Sequence, residues 1–227
     1  MTQARSNASV LFLGKAGDPF SERALAFCRL AFTDVSGHLS SWGDPMPDAV
    51  QQWEGDYIVS YLSRWIIKNP LLGRARKAAI NFHPASPDYP GIGCNNFALY
   101  DDADEYGATC HHMDETVDTG ALIAVRRFPV FPDDDVASIL ARTYDHMFQL
   151  FLEVLGGIAK GDPMPEEPGG WTRRPYTRKE FDALFEIRPD MSEDEVRRRV
   201  RAVSYGKYQP YVRVAGRKFL YAPGEPA

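Results

Sequence analysis

Three short apolar runs, "SVLFLG" (9–14), "DYIVSYL" (56–62) and "RKAAINFH" (76–83), constrain this chain most, because each reads as a core strand and helical or irregular sequence separates them. That spacing implies an α/β fold with an open, mainly parallel sheet flanked by helices. "PFSERALAFCRLAF" after the first run carries apolar residues at helical spacing, whereas "DVSGHLSSWGDPMPDAVQQW" is too rich in Gly, Pro and Ser to assign.

Beyond the third run, a helix is expected over 94–104 and two strands over 106–113 and 120–130. A long amphipathic helix follows over 133–161, broken near Gly156 where two glycines adjoin. "DPMPEEPGGW" (162–171) reads as a linker, and 172–227 as a small α+β extension with one or two helices and a hairpin turning at Ala215-Gly216. The whole is Rossmann-like: one main domain, 1–161, with an appendage.

With 227 residues, 44% of them hydrophobic, the chain can bury a sizeable core, and a net charge of -5 disfavours nucleic-acid or membrane binding by bulk electrostatics. Its apolar runs fall far short of a membrane span. Cys28, Cys94 and Cys110 show no metal-ligand spacing and no secretory leader precedes them, so reduced thiols in a cytoplasm are expected.

Asn81 and His83 stand two apart at the end of the third strand, so both side chains face the same way, at the sheet end where ligand crevices form. An amide can donate to a developing oxyanion and an imidazole can accept a proton near neutral pH. Asp118 could orient or charge that imidazole, although nothing in the spacing brings it near His83. Taken alone, Asn-x-His-Pro reads as an ordinary strand end whose polar groups satisfy local hydrogen bonds. His111, His112 and Asp114 do not read as a metal site, since neighbours on a strand point to opposite faces.

Read together, Asn81-x-His83-Pro84, Gly107-x-Thr109-x-His111 and Asp118-x-Gly120 resemble the folate-dependent formyltransferase family, over roughly residues 9–160. The resemblance implies catalytic roles for Asn81, His83 and Asp118, structural support from His111, and N10-formyltetrahydrofolate as donor without a metal. It further implies a pterin pocket between the loops 63–67 and 114–118, recognised largely through backbone, with Arg64, Trp65, Ile66, Glu115 and Val117 as candidates. Trp65 and Ile66 read equally well as core residues.

For the amine acceptor, the purine-pathway branch needs a phosphate at the turn after the first strand, where this chain has Asp18 and Pro19. The methionyl-tRNA branch needs a larger RNA-holding domain than residues 172–227 provide. The sugar N-formyltransferases, with their short extensions, are the most similar, so a nucleotide-linked amino sugar used in polysaccharide assembly is the expected acceptor. Other small amines, a non-catalytic folate- or carbohydrate-binding module, and a homodimer are left open. Arg197, Arg198, Arg199 and Arg201 read as a solvated helix face paired with the acids of "SEDE".

Overall fold

The computed structural model describes residues 4–222. In chain order the elements are β1 (Ser6–Lys15), α1 (Pro19–Ala31), β2 (Phe32–Ser40), α2 (Asp48–Gln51), β3 (Gly55–Tyr61), β4 (Ala75–His83), α3 (Cys94–Tyr100), β5 (Glu105–His112), β6 (Leu122–Pro129) and α4 (Val136–Lys160). They continue as α5 (Arg178–Leu184), β7 (Glu186–Ile187), α6 (Glu193–Val203), β8 (Tyr211–Val214) and β9 (Arg217–Leu220).

Six strands form the main sheet in the order β2-β1-β3-β4-β5-β6. The first four pair in parallel, and β5 and β6 join antiparallel. The expected Rossmann-like α/β sheet is therefore present, with its far edge reversed. β1 carries Val10, Leu11, Phe12 and Leu13 all essentially inaccessible, as a strand covered on both faces requires.

One sheet face carries Phe12, Tyr61, Ile80 and Phe82 against α1 and α4. There Phe151 of α4 meets Tyr61 and Phe82 with ring centroids 5.3 and 5.1 Å away. The opposite face carries Leu11, Leu13 and Ile58 against Val50, Ile67 and Leu71. Alternation along β4 puts Ala79 on that second face, and Asn81 and His83 follow it there at the carboxyl end of the strand.

The structure departs from the sequence expectations in three places. The unassigned stretch after α1 contains β2, an edge strand whose middle is only half-buried and so lacks a strong apolar signature. The helix expected over 94–104 is shorter, ending at Tyr100. α4 runs unbroken through Gly156 and stops at Gly161, the left-handed residue (φ +85°) that ends it. A Cβ at Gly156 would meet nothing within 4 Å, so Gly156→Ala is expected to raise unfolding free energy by about 0.5–1 kcal/mol, measured by urea denaturation.

Beyond α4, the segment at 162–177 lies back along the main domain. Glu167 N–H donates to Leu122 O (3.2 Å), Thr172 N–H to Pro87 O (3.3 Å) and Tyr176 N–H to Pro90 O (2.9 Å). Next come the two helices α5 and α6, and a small sheet in which β7 pairs in parallel with the hairpin β8–β9. The hairpin turns at Ala215 and Gly216, both at positive φ, as expected. α6 docks on α3 through Asn96, whose Nδ2 donates to Ala202 O at 2.6 Å. Arg197, Arg198 and Arg199 pair with the acids of "SEDE" as expected: Arg197 with Asp194 (2.8 Å), Arg198 with Glu195 (3.2 Å) and Arg199 with Glu195 (2.6 Å). Arg201 does not: it pairs with Asp102 (2.7 Å) and donates to the carbonyls of Asp134 and Phe131, tying α6 to the main domain instead of facing solvent. No helix among the described residues is long and apolar enough to cross a membrane.

Candidate active site

The pairing of β4 with β5 sets Asn81 directly opposite His111. Asn81 Nδ2 lies 3.1 Å from His111 Nε2, while His111 Nδ1 lies 2.8 Å from the carbonyl of His112. A carbonyl can only accept, so Nδ1 carries a proton; Nε2 is left to accept from the Asn81 amide, with Asp118 Oδ1 3.5 Å away on its other side. His111 thereby fixes which way the Asn81 amide faces. The second amide hydrogen has no protein acceptor among the described residues and is left for the cavity.

His83 is 6% exposed. Its Nδ1 lies 3.5 Å from Asp118 Oδ2 and its Nε2 lies 3.4 Å from the carbonyl of Tyr89. Both contacts are long for hydrogen bonds, so the imidazole is guided rather than locked. Burial pushes its pKa below the ordinary imidazole value, against the pull of the Asp118 carboxylate. His83 is therefore neutral at neutral pH and able to take a proton. The acid limb of kcat/KM is expected to lie below pH 6.5, and a limb centred above that value would contradict this assignment.

Asp118 arrives from the β5–β6 loop, held in the left-handed region (φ +52°) that Asp tolerates better than most residues. Burial works to raise its pKa, but His83, His111 and the Gly91 N–H outweigh it and keep the carboxyl below the usual carboxylate range. The Gly91 N–H donates to Asp118 Oδ2 at 2.9 Å. Gly91 sits at φ +93° with Tyr176 backbone 2.5 Å from where a Cβ would stand, so no other residue fits without displacement.

These side chains line one wall of a cavity of about 350 Å³. Arg64, Trp65, Ile66 and Val117 line it as well, together with Trp42, Ile67 and Met113. Ile66 is 64% exposed and Val117 49%, so neither is a core residue; both present apolar surface to the opening. Trp65 is half-buried and anchored by Nε1–H donation to Asp44 O (2.9 Å), and the Arg64 guanidinium lies over the Trp42 ring, 4.7 Å from its centroid. Glu115 is not among the lining residues; its carboxylate accepts from Asn69 Nδ2 at 2.7 Å. Among the described residues no group of three or more His, Cys, Asp or Glu side chains is placed to hold a metal.

Sequence reasoning passed over Trp42 and Trp171. Trp171 packs edge-on against His83 and His111, with centroids 5.7 and 5.0 Å apart. Its position in a Pro- and Gly-rich stretch carried no signal of that contact. His111 was legible only as support; its hydrogen bond to Asn81 needed the strand register.

A family model described as formyl transferase matches residues 40–155, just over half of the 227-residue chain. The GDP-perosamine N-formyltransferase of Brucella melitensis is 28% identical over 172 residues, which cover 75% of this chain and 65% of that protein. The chain thus spans a little under two thirds of that relative's length. The structure of a sugar N-formyltransferase from Shewanella sp superposes with a TM-score of 0.76 at 18% identity, covering 96% of this chain and 98% of that one. That of an N-formyltransferase from Helicobacter canadensis, in complex with folinic acid and dTDP-3-aminofucose, gives 0.71 at 16% identity over 93% and 86%. The two solved structures share this fold, and the motif-bearing strands and loops lie within the matched segment: this chain belongs to the formyl transferase family.

Proposed function

We propose that the protein transfers the formyl group of N10-formyltetrahydrofolate to the primary amine of a nucleotide-linked amino sugar. The observation that carries this reading is the convergence of Asn81, His83 and Asp118 on one cavity that the exposed apolar side chains of Ile66 and Val117 also line. The apolar surface that Trp65, Ile66 and Val117 give the cavity suits a flat heteroaromatic donor. The two relatives named for sugar substrates support the acceptor class. In this reading residues 1–161 form the catalytic unit, 162–171 the connection and 172–227 the extension. The three cysteines, all buried and unpaired, fit a reducing cytoplasm.

Formyl transfer requires an amine to attack a carbonyl carbon, negative charge to build on the formyl oxygen, and the folate nitrogen to leave with a proton. The free Asn81 N–H stabilises that oxygen. Neutral His83 takes the proton of the attacking amine, and the anionic Asp118 stabilises the imidazolium so formed before the proton passes to the leaving nitrogen.

Glycinamide ribonucleotide fits poorly. Asp18 caps α1, its Oδ1 accepting from Ser21 N–H at 2.9 Å, and its carboxylate, 4% exposed, fills the anion position a phosphate would need. With N10-formyltetrahydrofolate and a panel of amines, mass spectrometry is expected to find formylated nucleotide-linked amino sugar and unmodified glycinamide ribonucleotide. Formylation of the ribonucleotide alone would overturn the acceptor assignment.

A further inference from the structure

Trp171 belongs to none of the three apolar clusters of the described residues, yet it is half-buried. Its ring stands edge-on to the imidazoles of both His83 (73°) and His111 (83°). Its Nε1–H donates to Gly120 O at 2.9 Å, two residues beyond Asp118. The chain on either side is fastened to the main domain: before it Glu167 N–H to Leu122 O, and after it Thr172 N–H to Pro87 O, Tyr176 N–H to Pro90 O, and Ile92 N–H back to Tyr176 O at 3.1 Å. The Tyr176 ring lies flat on Phe97 of α3, with centroids 3.5 Å apart. One indole thus touches the ring that takes the proton, the ring that orients the oxyanion donor, and the backbone of the loop that carries the carboxylate.

We propose that Trp171 is a positioning residue for formyl transfer, packing the His83 and His111 rings into their working orientations and keeping water from the His83–Asp118 pair. The proposal rests on the formyl-transfer reading. His83 is faced by Asp118 from the β5–β6 loop, by His111 from β5, by the Tyr89 carbonyl and, across the cavity lining, by Cys94 of α3. Trp171 is the uncharged wall of that enclosure. Removing it admits water, which relieves the burial that holds His83 below its ordinary pKa.

The test compares Trp171→Ala with Trp171→Phe, which keeps an aromatic ring against the imidazoles and loses the Gly120 hydrogen bond with part of the indole's bulk. Trp171→Ala is expected to lower kcat by roughly 10- to 100-fold, with KM for donor and acceptor changed by less than about threefold. It is also expected to move the acid limb of the pH profile upward. Trp171→Phe is expected to retain kcat within about threefold and the parent pH profile. The His83 ring titration, followed by NMR and assigned with His83→Gln, should rise in Trp171→Ala and stay in Trp171→Phe. A parental kcat and His83 titration in Trp171→Ala would overturn the proposal. Equal losses of kcat and melting temperature in both variants would overturn it as well, since they would mark the Gly120 bond as the structural element that matters. Failure of the parent protein to formylate any amine would sink the formyl-transfer reading, while the His83 titration still decides whether the indole controls that ring.

Discussion

Replacing His83 with alanine is expected to lower kcat by about 10²- to 10⁴-fold, the usual cost of losing a positioned acid or base. The melting temperature should change far less. His83 lies at the wall of the cavity, so the space left by its truncation adjoins that cavity and is not a void in the apolar core. Asp118 keeps the Gly91 N–H, so its carboxylate is not stranded. The reverse pattern, a large stability loss with turnover retained, would make His83 a packing residue. Steady-state kinetics and a thermal melt on the same preparation separate the two.

The second large effect is expected at Gly120. A Cβ there would stand 1.9 Å from the carbonyl oxygen of His112. That atom belongs to β5 and no rotamer change can move it, so the loop must shift. Overpacking of this kind costs about 1–3 kcal/mol or more when backbone is the obstacle. For a chain of this size that corresponds to roughly 2–12 °C in melting temperature. The loop that shifts also carries Asp118, so kcat should fall by about 10²-fold, the cost of a misplacement on the order of 1 Å. The contrast with Gly156→Ala, which fills open space on a helix and should stabilise, checks that the effect comes from the clash. Parental stability and turnover in Gly120→Ala would show that the loop is looser than the β5 contact implies.

The same contrast explains what could be read before any coordinates. β1, β3 and β4 were legible because strands with both faces covered must be apolar over short runs. β2 was not, because an edge strand of Ser, Gly, His and Asp, half-open to water, has no such pattern. Gly156 misled because glycine weakens a helix by propensity, whereas α4 gains its stability from packing Phe151, Val154, Leu155 and Ile158 on the sheet.

At the site, two-residue periodicity put Asn81 and His83 on one face, and their catalytic roles followed from resemblance. Asp118 followed only from resemblance, since its approach depends on how the β5–β6 loop folds over the sheet end. The hydrogen bond that makes His111 more than a supporting residue depends on antiparallel register, which sequence periodicity does not specify. Trp171 lay furthest out of reach. Its contact with His83 arises because the chain after α4 doubles back along the Pro84–Gly93 loop through backbone hydrogen bonds, and backbone bonding leaves little trace in side-chain identity.

The central claim is that these residues move a formyl group from folate to an amine. Its most direct test uses N10-formyltetrahydrofolate labelled with carbon-13 in the formyl carbon, incubated with the protein and a nucleotide-linked amino sugar, and followed by carbon NMR. Transfer of the label to an amide on the sugar, abolished by His83→Ala, is the predicted result. Label that stays on folate, or leaves it only as free formate with every amine offered, would contradict the account.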